Sequence, residues 1–339
     1  MSITPTTNGL PAPARAGGRW SWRDRYGWLG PLAALVALYV VFSLLQPDTF
    51  ATAGNMKTML RQTAVVGMAA LGMTLVIVLG GIDLSIGSMV ALVTVVVASL
   101  LQAGWAPAAA ALAGIAVGGL CGFTNGLLIT SLRVTPFIVT LGALGIIRGA
   151  AKGLAHEQKI DAPLSWLNEL VAELPRNLSW MVLPPGVWLT LLAAAAAAVL
   201  LGFTRFGRHV VAIGSNESAA RLCGVRITRT KIAVYTLQAT LAGVAGVLQF
   251  SRLTVGDPTV GLGLELDVIA AVVIGGGSLS GGEGSILGSL IGAMLMTVIR
   301  TGCTHAGLPI WVQEIITGSI IVLAVAIDRL RHRKNDVTS

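Results

Sequence analysis

The chain reads as all-α, a polytopic transmembrane helical bundle of about ten helices with N-terminus and C-terminus cytoplasmic, and three observations carry that reading. Of its 339 residues, 54% are hydrophobic and 11% charged, whereas soluble domains average about a quarter charged. Apolar runs close to the ~20 residues that cross a bilayer recur along the whole length. Lys and Arg are spread unevenly between alternate loops, as the positive-inside rule requires of a membrane protein. The net charge of +8 is therefore a matter of sidedness and gives no reason to expect a nucleic-acid partner.

Taken in order, residues 1–27 form a polar, Pro/Gly-rich tail carrying Arg15, Arg19, Arg23 and Arg25. These charges hold the N-terminus in the cytosol, and the tail lacks the pattern of a cleavable signal. Trp20, Trp22, Tyr26 and Trp28 suit the adjoining interface. Apolar spans are expected over 28–45, 63–79, 86–101, 105–130 and 136–151. The polar stretch 156–185, with Trp166 and Trp180, predicts a short helix on the outer surface. Further spans follow over 187–203, 232–250, 266–275, 286–299 and 312–326. The transmembrane domain is thus 28–328, and 329–339 is a second basic tail. With the N-terminus inside, 15 of the 23 Lys and Arg fall inside and 8 outside.

The loop 204–231 is a hydrophilic island between two spans. It holds Arg205, Arg208, Arg221, Arg226, Arg229 and Lys231 against the single acid Glu217. Ser215 or Asn216 can cap a short helix there, Glu217 suits its first turn and Gly224 can end it. Ala219, Ala220, Leu222 and Cys223 give that helix a small apolar surface. The pattern fits a docking element for a soluble partner, and equally a solvated connection.

In the segment 80–92, Gly80 and Gly81 can end one helix and Asp83 or Ser85 can cap the next. A carboxylate between apolar runs is either such a cap or a gate or pathway group. A second segment, VVIGGGSLSGGEGSILGSL, echoes the first (IGGGSLS against LGGIDLS), with Glu283 placed to cap the following helix. Gly114, Gly118, Gly122 and Gly126 form one stripe, and Gly284, Gly288 and Gly292 another; both predict close helix packing. Asn125 lies beside the first. Few ionisable residues are expected deep in the spans, which argues against a proton relay. Cys121, Cys223 and Cys303 have no metal-ligand spacing, and neither a disulfide nor a metal site is expected. No HExxH pattern, Walker A sequence or GxSxG elbow occurs, so the chain is read as a non-enzyme that binds no ATP itself.

Four blocks carry a family resemblance: GMTLVIVLGGIDLSIGSMVAL, NGLLITSLRVTPFIVTLGALGIIRG, AIGSNESAARLCGV and LELDVIAAVVIGGGSLSGGEGSILGSLIGA. In this order, over about 72–293, they resemble the ribose-type sugar permeases of bacterial ABC importers. The resemblance implies a multi-pass permease of the bacterial inner membrane that translocates a monosaccharide. It implies a second permease copy or paralogue, a separate cytoplasmic ATPase that binds ATP and Mg, and an extracytoplasmic sugar-binding protein. It also makes 214–224 the coupling helix, with Gly214, Ser215, Asn216, Glu217, Ala219, Ala220, Arg221 and Gly224 as ATPase-coupling residues. Pathway candidates are Asp83, Asn125, Thr135, Phe137 and Thr140. A related permease for branched-chain amino acids or nucleosides stays open, as does, more remotely, an ion-coupled secondary transporter.

Overall fold

In lipid every backbone polar group must be satisfied within the protein, so apolar runs of this length fold as helices. The computed structural model describes residues 28–174 and 180–336, giving only the backbone course for 327–336. The described helices are α1 (Leu29–Leu45), α2 (Ala53–Val78), α3 (Ile86–Gln102), α4 (Pro107–Leu132), α5 (Pro136–Leu154), α6 (Pro185–Phe203), α7 (Arg205–Ser215), α8 (Glu217–Leu222), α9 (Ile227–Leu253), α10 (Leu264–Ile274), α11 (Ile286–His305) and α12 (Ile310–Asp336). Two short strands, β1 (Ile160–Asp161) and β2 (Val255–Gly256), pair antiparallel.

Each expected span coincides with a helix. Six of them (α2, α4, α5, α6, α9 and α11) are long and apolar enough to cross a membrane, and α1, α3 and Ile310–Ala326 are shorter apolar helices. The tenth, α10, has only 11 residues. The structure therefore carries an all-α membrane protein. Helix α2 starts at Ala53 and not at 63, because Thr52 accepts the Asn55 N–H at 3.2 Å and caps a polar first stretch that hydropathy misses. Instead of the surface helix expected around Trp166, a single 3-10 turn spans Trp166–Glu169, stapled by Ser165 and Asn168. The basic tails lie outside the described residues or, at 327–336, outside the described side chains, as does Arg176.

Helices α2 and α9 form the centre. Met68, Leu71 and Leu75 of α2 and Tyr235 and Phe250 of α9 are fully buried. Helices α3, α10 and α11 flank them, while α4, α5 and α6 present apolar side chains outward, with Ile146 74% and Leu192 67% exposed. An exterior of this kind belongs in hydrocarbon. Links return the chain at each end of the bundle, the longest, 155–184, carrying β1 and the 3-10 turn. The end bearing α7 and α8 is called the basic end below, and the end bearing β1 and β2 the strand end.

Glycine sets the interhelical distances. On α4 the stripe packs against two neighbours: Gly114 faces Val93 and Val97 of α3, and Gly118, Gly122 and Gly126 lie on the α9 backbone. A Cβ at Gly118 would stand 2.8 Å from the Ala239 carbonyl oxygen, and one at Gly126 2.8 Å from Ile232 Cα. The second stripe seats Gly288 on Gly275 and Gly292 on Ala271 of α10. Hydroxyls add cross-helix bonds: Thr74 Oγ1 donates to Ser289 Oγ at 2.8 Å and Ser88 Oγ to the Leu144 carbonyl at 2.9 Å.

Gly122→Ala should therefore lower the yield of folded protein, because the new methyl meets the Tyr235 carbonyl and the Ala239 Cβ. Overpacking of this sort costs about 1–3 kcal/mol. Gly142→Ala on α5, where nothing lies within 4 Å, should leave the yield of the permease chain expressed alone unchanged. Size-exclusion recovery of the two variants from membranes checks the contrast.

Candidate functional site

The loop 204–231 folds as two helices where the sequence predicted one. Thr204 Oγ1 accepts the Gly207 N–H at 3.1 Å and starts α7 straight after α6. Asn216, not Ser215, is the cap of α8: its Oδ1 accepts the Ala219 N–H at 2.9 Å. The chain leaves α8 through Gly224 at φ +80°, a conformation that side chains disfavour. Glu217 lies in the first turn, as expected, and binds Lys231 Nζ at 2.7 Å and Arg221 Nη2 at 3.1 Å. The hydrogen bond from Lys231 holds its carboxyl below the usual carboxylate range. Ser218, Ala219, Arg221, Leu222 and Cys223 face outward, with Leu222 90% exposed, whereas Ala220 is buried. Any partner on α8 therefore meets Leu222 and its neighbours and not Ala220, which packs against this chain's own interior.

Three glycine-bearing segments converge at the C-terminus of α7. Gly282 N donates to the Val78 carbonyl at 2.8 Å, joining the α10–α11 link to the end of α2. Gly214 sits in the same contact: a Cβ there would lie 2.6 Å from Gly282 N and closer still to the Val78 oxygen. Gly281 completes it, since its own Cβ would stand 2.7 Å from the Gly214 oxygen and 2.9 Å from Gly80 Cα. LGGIDLS and the glycines that follow IGGGSLS, Gly281 and Gly282, thus meet under α7, each on the link between one helix end and the next helix. Gly80, Gly281 and Gly282 all have positive φ. Glu283 does not cap α11; Ser285 does, accepting the Gly288 N–H at 3.1 Å.

Beyond Gly80 the chain runs non-helically into the bundle. Asp83 Oδ1 accepts the Ser85 N–H at 2.8 Å and the Ser85 hydroxyl at 2.5 Å, and Asn125 Nδ2 donates to Ser85 Oγ at 3.0 Å. Thr140 Oγ1 donates to the Ile82 carbonyl at 3.2 Å. Asp83, Asn125 and Thr140 are therefore brought together around 82–85, all buried. Thr135 and Phe137 are not: both are exposed, Phe137 to 50%. Asp83 supports the start of α3, while its Oδ2 lacks a partner among the described residues, as do the Tyr235 hydroxyl and the Gln238 amide of α9.

A few ionisable groups are buried all the same, at links and helix ends. Arg148, Asp257 and Asp267 are buried along with Asp83. Arg148 Nη1 donates to the carbonyls of Pro258 at 3.0 Å and Val260 at 2.6 Å. Those carbonyls belong to the non-helical segment 257–263, which folds back along α3 until Gly261 meets Gly87. Irregular backbone is tolerated at membrane depth only when protein groups satisfy it. In the sequence, Arg148 within an apolar run and the acids of LELD were the available signals.

The Glu217–Lys231 pair ties α8 to α9, and its contribution depends on pH. A depressed carboxyl stabilises above the unfolded value of about 4.3 and loses that stability as pH falls through its folded value. Both partners are partly exposed, so the pair is worth at most about 1 kcal/mol. Lys231→Met should reduce hydrogen-exchange protection of the α8 amides by no more than about fivefold near neutral pH, and wild type should approach the variant on acidification below about 4.3. Exchange rates corrected for intrinsic pH dependence test both statements.

The sequence profile described as "Branched-chain amino acid transport system / permease component" matches residues 55–325. The chain is 38% identical over 299 residues to the ribose import permease protein of Escherichia coli (strain K12), covering 88% of this chain and 92% of that one. It is 34% identical over 332 residues to the L-arabinose ABC transporter permease protein of Azospirillum brasilense, covering 98% and 95%. It is 36% identical over 306 residues to the fructose import permease protein of Rhizobium meliloti, covering 88% and 84%. No solved structure matches the chain. The matched profile runs from the first turns of α2 into α12 and takes in the glycine contact, α7–α8 and the buried polar groups, and the chain belongs to this family of membrane transport permease components.

Proposed function

We propose that the chain is the membrane-spanning subunit of a bacterial ABC importer, passing a monosaccharide delivered by an extracytoplasmic binding protein. The observation that carries the reading is the contact at the end of α7, where one exposed helical element abuts the breaks of both discontinuous helix pairs. A soluble partner pressing on α8 moves Gly214 against Val78 and Gly282 without any intervening flexible side chain. ATP and Mg belong to that partner, a cytoplasmic ATPase, and this chain binds neither. The sugar assignment rests on relatives whose names specify ribose, arabinose and fructose. The basic end is the cytoplasmic end of an inner-membrane protein crossing ten times, because six cations cluster on 204–231. A second permease copy or paralogue completes the passage, with lipid around the outward apolar faces of α4, α5 and α6.

Mechanistically, the binding protein selects the sugar, so the permease needs only a path that opens alternately to each side. The segments 79–85 and 275–285 are the movable parts. Each joins a helix end at the basic face to a helix that starts inside the bundle. Asp83, Asn125 and Thr140 hold the first segment, and Arg148 holds the facing segment 257–263. Discontinuous helices of this kind place irregular backbone where solute passes.

Coupling and sidedness have separate tests. Leu222→Arg should abolish co-purification of the ATPase, while Gly214→Ala should retain the ATPase yet cut uptake per inserted permease by at least about tenfold, equivalent to ~1.4 kcal/mol on the transport barrier. Normal uptake by Gly214→Ala would remove the contact from the coupling route. With Cys121, Cys223 and Cys303 replaced, Ser218→Cys should resist an impermeant thiol reagent outside intact cells, and Asn168→Cys should react. Uptake of D-ribose, L-arabinose and D-fructose against L-leucine by the complete importer decides the substrate class; accumulation of leucine alone would overturn the sugar reading.

A further inference from the structure

At the strand end, α2, α3, α9, α10 and α11 enclose a cavity of about 170 Å3 that none of the pathway candidates lines. Its polar lining is mixed. Asp267 is 3% exposed; its Oδ2 binds Arg300 Nη2 at 2.6 Å, while Oδ1 has no partner among the described residues. Gln249 and Thr297 are buried beside it, Gln62 is half-buried, and Arg252 and Arg300 stand exposed at the rim. Val65, Val90, Leu264 and Met296 supply an apolar wall.

The chemistry of this lining selects its ligand. A carboxylate oxygen can only accept, and a buried acceptor left empty carries a desolvation penalty. What Asp267 Oδ1 needs is therefore a donor. The guanidinium groups and the two amides offer donors in return, so a fitting molecule both donates and accepts around its edge. The valine, leucine and methionine side chains fit a C–H face. A neutral polyhydroxylated ring has all three properties. A small anion would satisfy the arginines, but it would bring negative charge against Asp267 and no proton for Oδ1. The volume equals that of five or six waters at about 30 Å3 each, enough for one sugar ring and too little for two.

We propose that this cavity is a monosaccharide-binding site built within a single chain, where the sugar is held after leaving its binding protein. The proposal rests on the sugar-import reading and adds where this chain holds the cargo. Asp267 Oδ1 accepts a ring hydroxyl, Arg252 and Gln249 donate to ring oxygens, and the apolar wall covers one face. The pathway is thereby given a recognition step of its own at the strand end, separate from the cluster around Asp83.

The test uses the full-length chain alone in lipid nanodiscs, free of glycerol and of sugar-headed detergents. Saturation-transfer NMR is recorded with D-ribose, D-fructose and L-arabinose, with inorganic phosphate as competitor. At least one sugar should give a saturable signal that phosphate does not displace. Gln249→Met, which preserves shape and breaks no ion pair, and Asp267→Asn should each weaken binding by about tenfold or more. Unchanged thermal unfolding of Gln249→Met separates lost recognition from lost fold. Absence of a saturable signal, equal binding by both variants, or displacement by phosphate would overturn the proposal. Uptake by the complete importer distinguishes the two readings. Sugar uptake without binding by the permease sinks the cavity and leaves the import reading standing. Binding without uptake of any sugar sinks the import reading, and the proposal with it.

Discussion

The contact between Gly214, the Val78 carbonyl and Gly282 is the constraint on which the rest of the structure depends. Backbone meets backbone there, with a 2.8 Å hydrogen bond across it and no room for a single methyl at Gly214. A contact between long side chains could absorb a displacement through rotamer changes. A contact between main chains cannot, because packed backbone is hard to compress. Whatever moves α7 must move the end of α2 or the link before α11. The remaining glycine contacts extend this stiffness upward: Gly288 on Gly275 and Gly292 on Ala271 lock α10 to α11, and Gly122 and Gly126 lock α4 to α9. The bundle is thus a set of rigid pairs joined at two breaks.

Irregular backbone, at the first break and in the fold-back before α10, explains why polar groups are buried in so apolar a chain. A continuous helix satisfies its own backbone, whereas segments 79–85 and 257–263 leave carbonyls and amides that lipid cannot serve. Thr140 donates to Ile82, Asp83 receives the Ser85 amide, and Arg148 takes the carbonyls of Pro258 and Val260. These side chains are the cost of irregular backbone inside a membrane protein. They also fix where the backbone can rearrange, since every bond is local to one break.

The helices were legible in the sequence because a membrane segment must be apolar over its whole length, and such runs are hard to mistake. The α8 helix was legible too, since Glu217 and Gly224 follow local rules of helix termini, while Ser215 and Asn216 stood as alternative caps until the fold chose Asn216. What stayed hidden was set by tertiary contact. Nothing in the hydropathy of Ala53–Thr63 marks it as helix, because its first turns stand at the polar end of α2. Ala220 looks like a surface alanine until α8 is laid on the chain, and Thr135 and Phe137 look like interior groups until α5 is seen facing outward. Arg148 and Asp267 sit near span ends in sequence, so they read as rim charges. Only the fold-back of 257–263 and the shortness of α10 bring them inside.

Shortness of α10 has a further consequence. With 11 residues it rises only about 16 Å, roughly half of a ~30 Å hydrocarbon core. It runs from Leu264, just before Asp267, to Ile274, ahead of the link that carries Gly281 and Gly282, and the irregular chain 257–263 precedes it. The same helix therefore begins at the polar cavity of the strand end and leads through Gly281 and Gly282 to α7. Because Gly275 and Ala271 are locked to Gly288 and Gly292 of α11, α10 does not slide alone; the pair tilts as a unit. A tilt started at Gly282 must shift Asp267 and Arg300 together, since one lies on each helix and the 2.6 Å ion pair joins them. The basic end and the distant cavity are thus connected through two packed helices and one salt bridge.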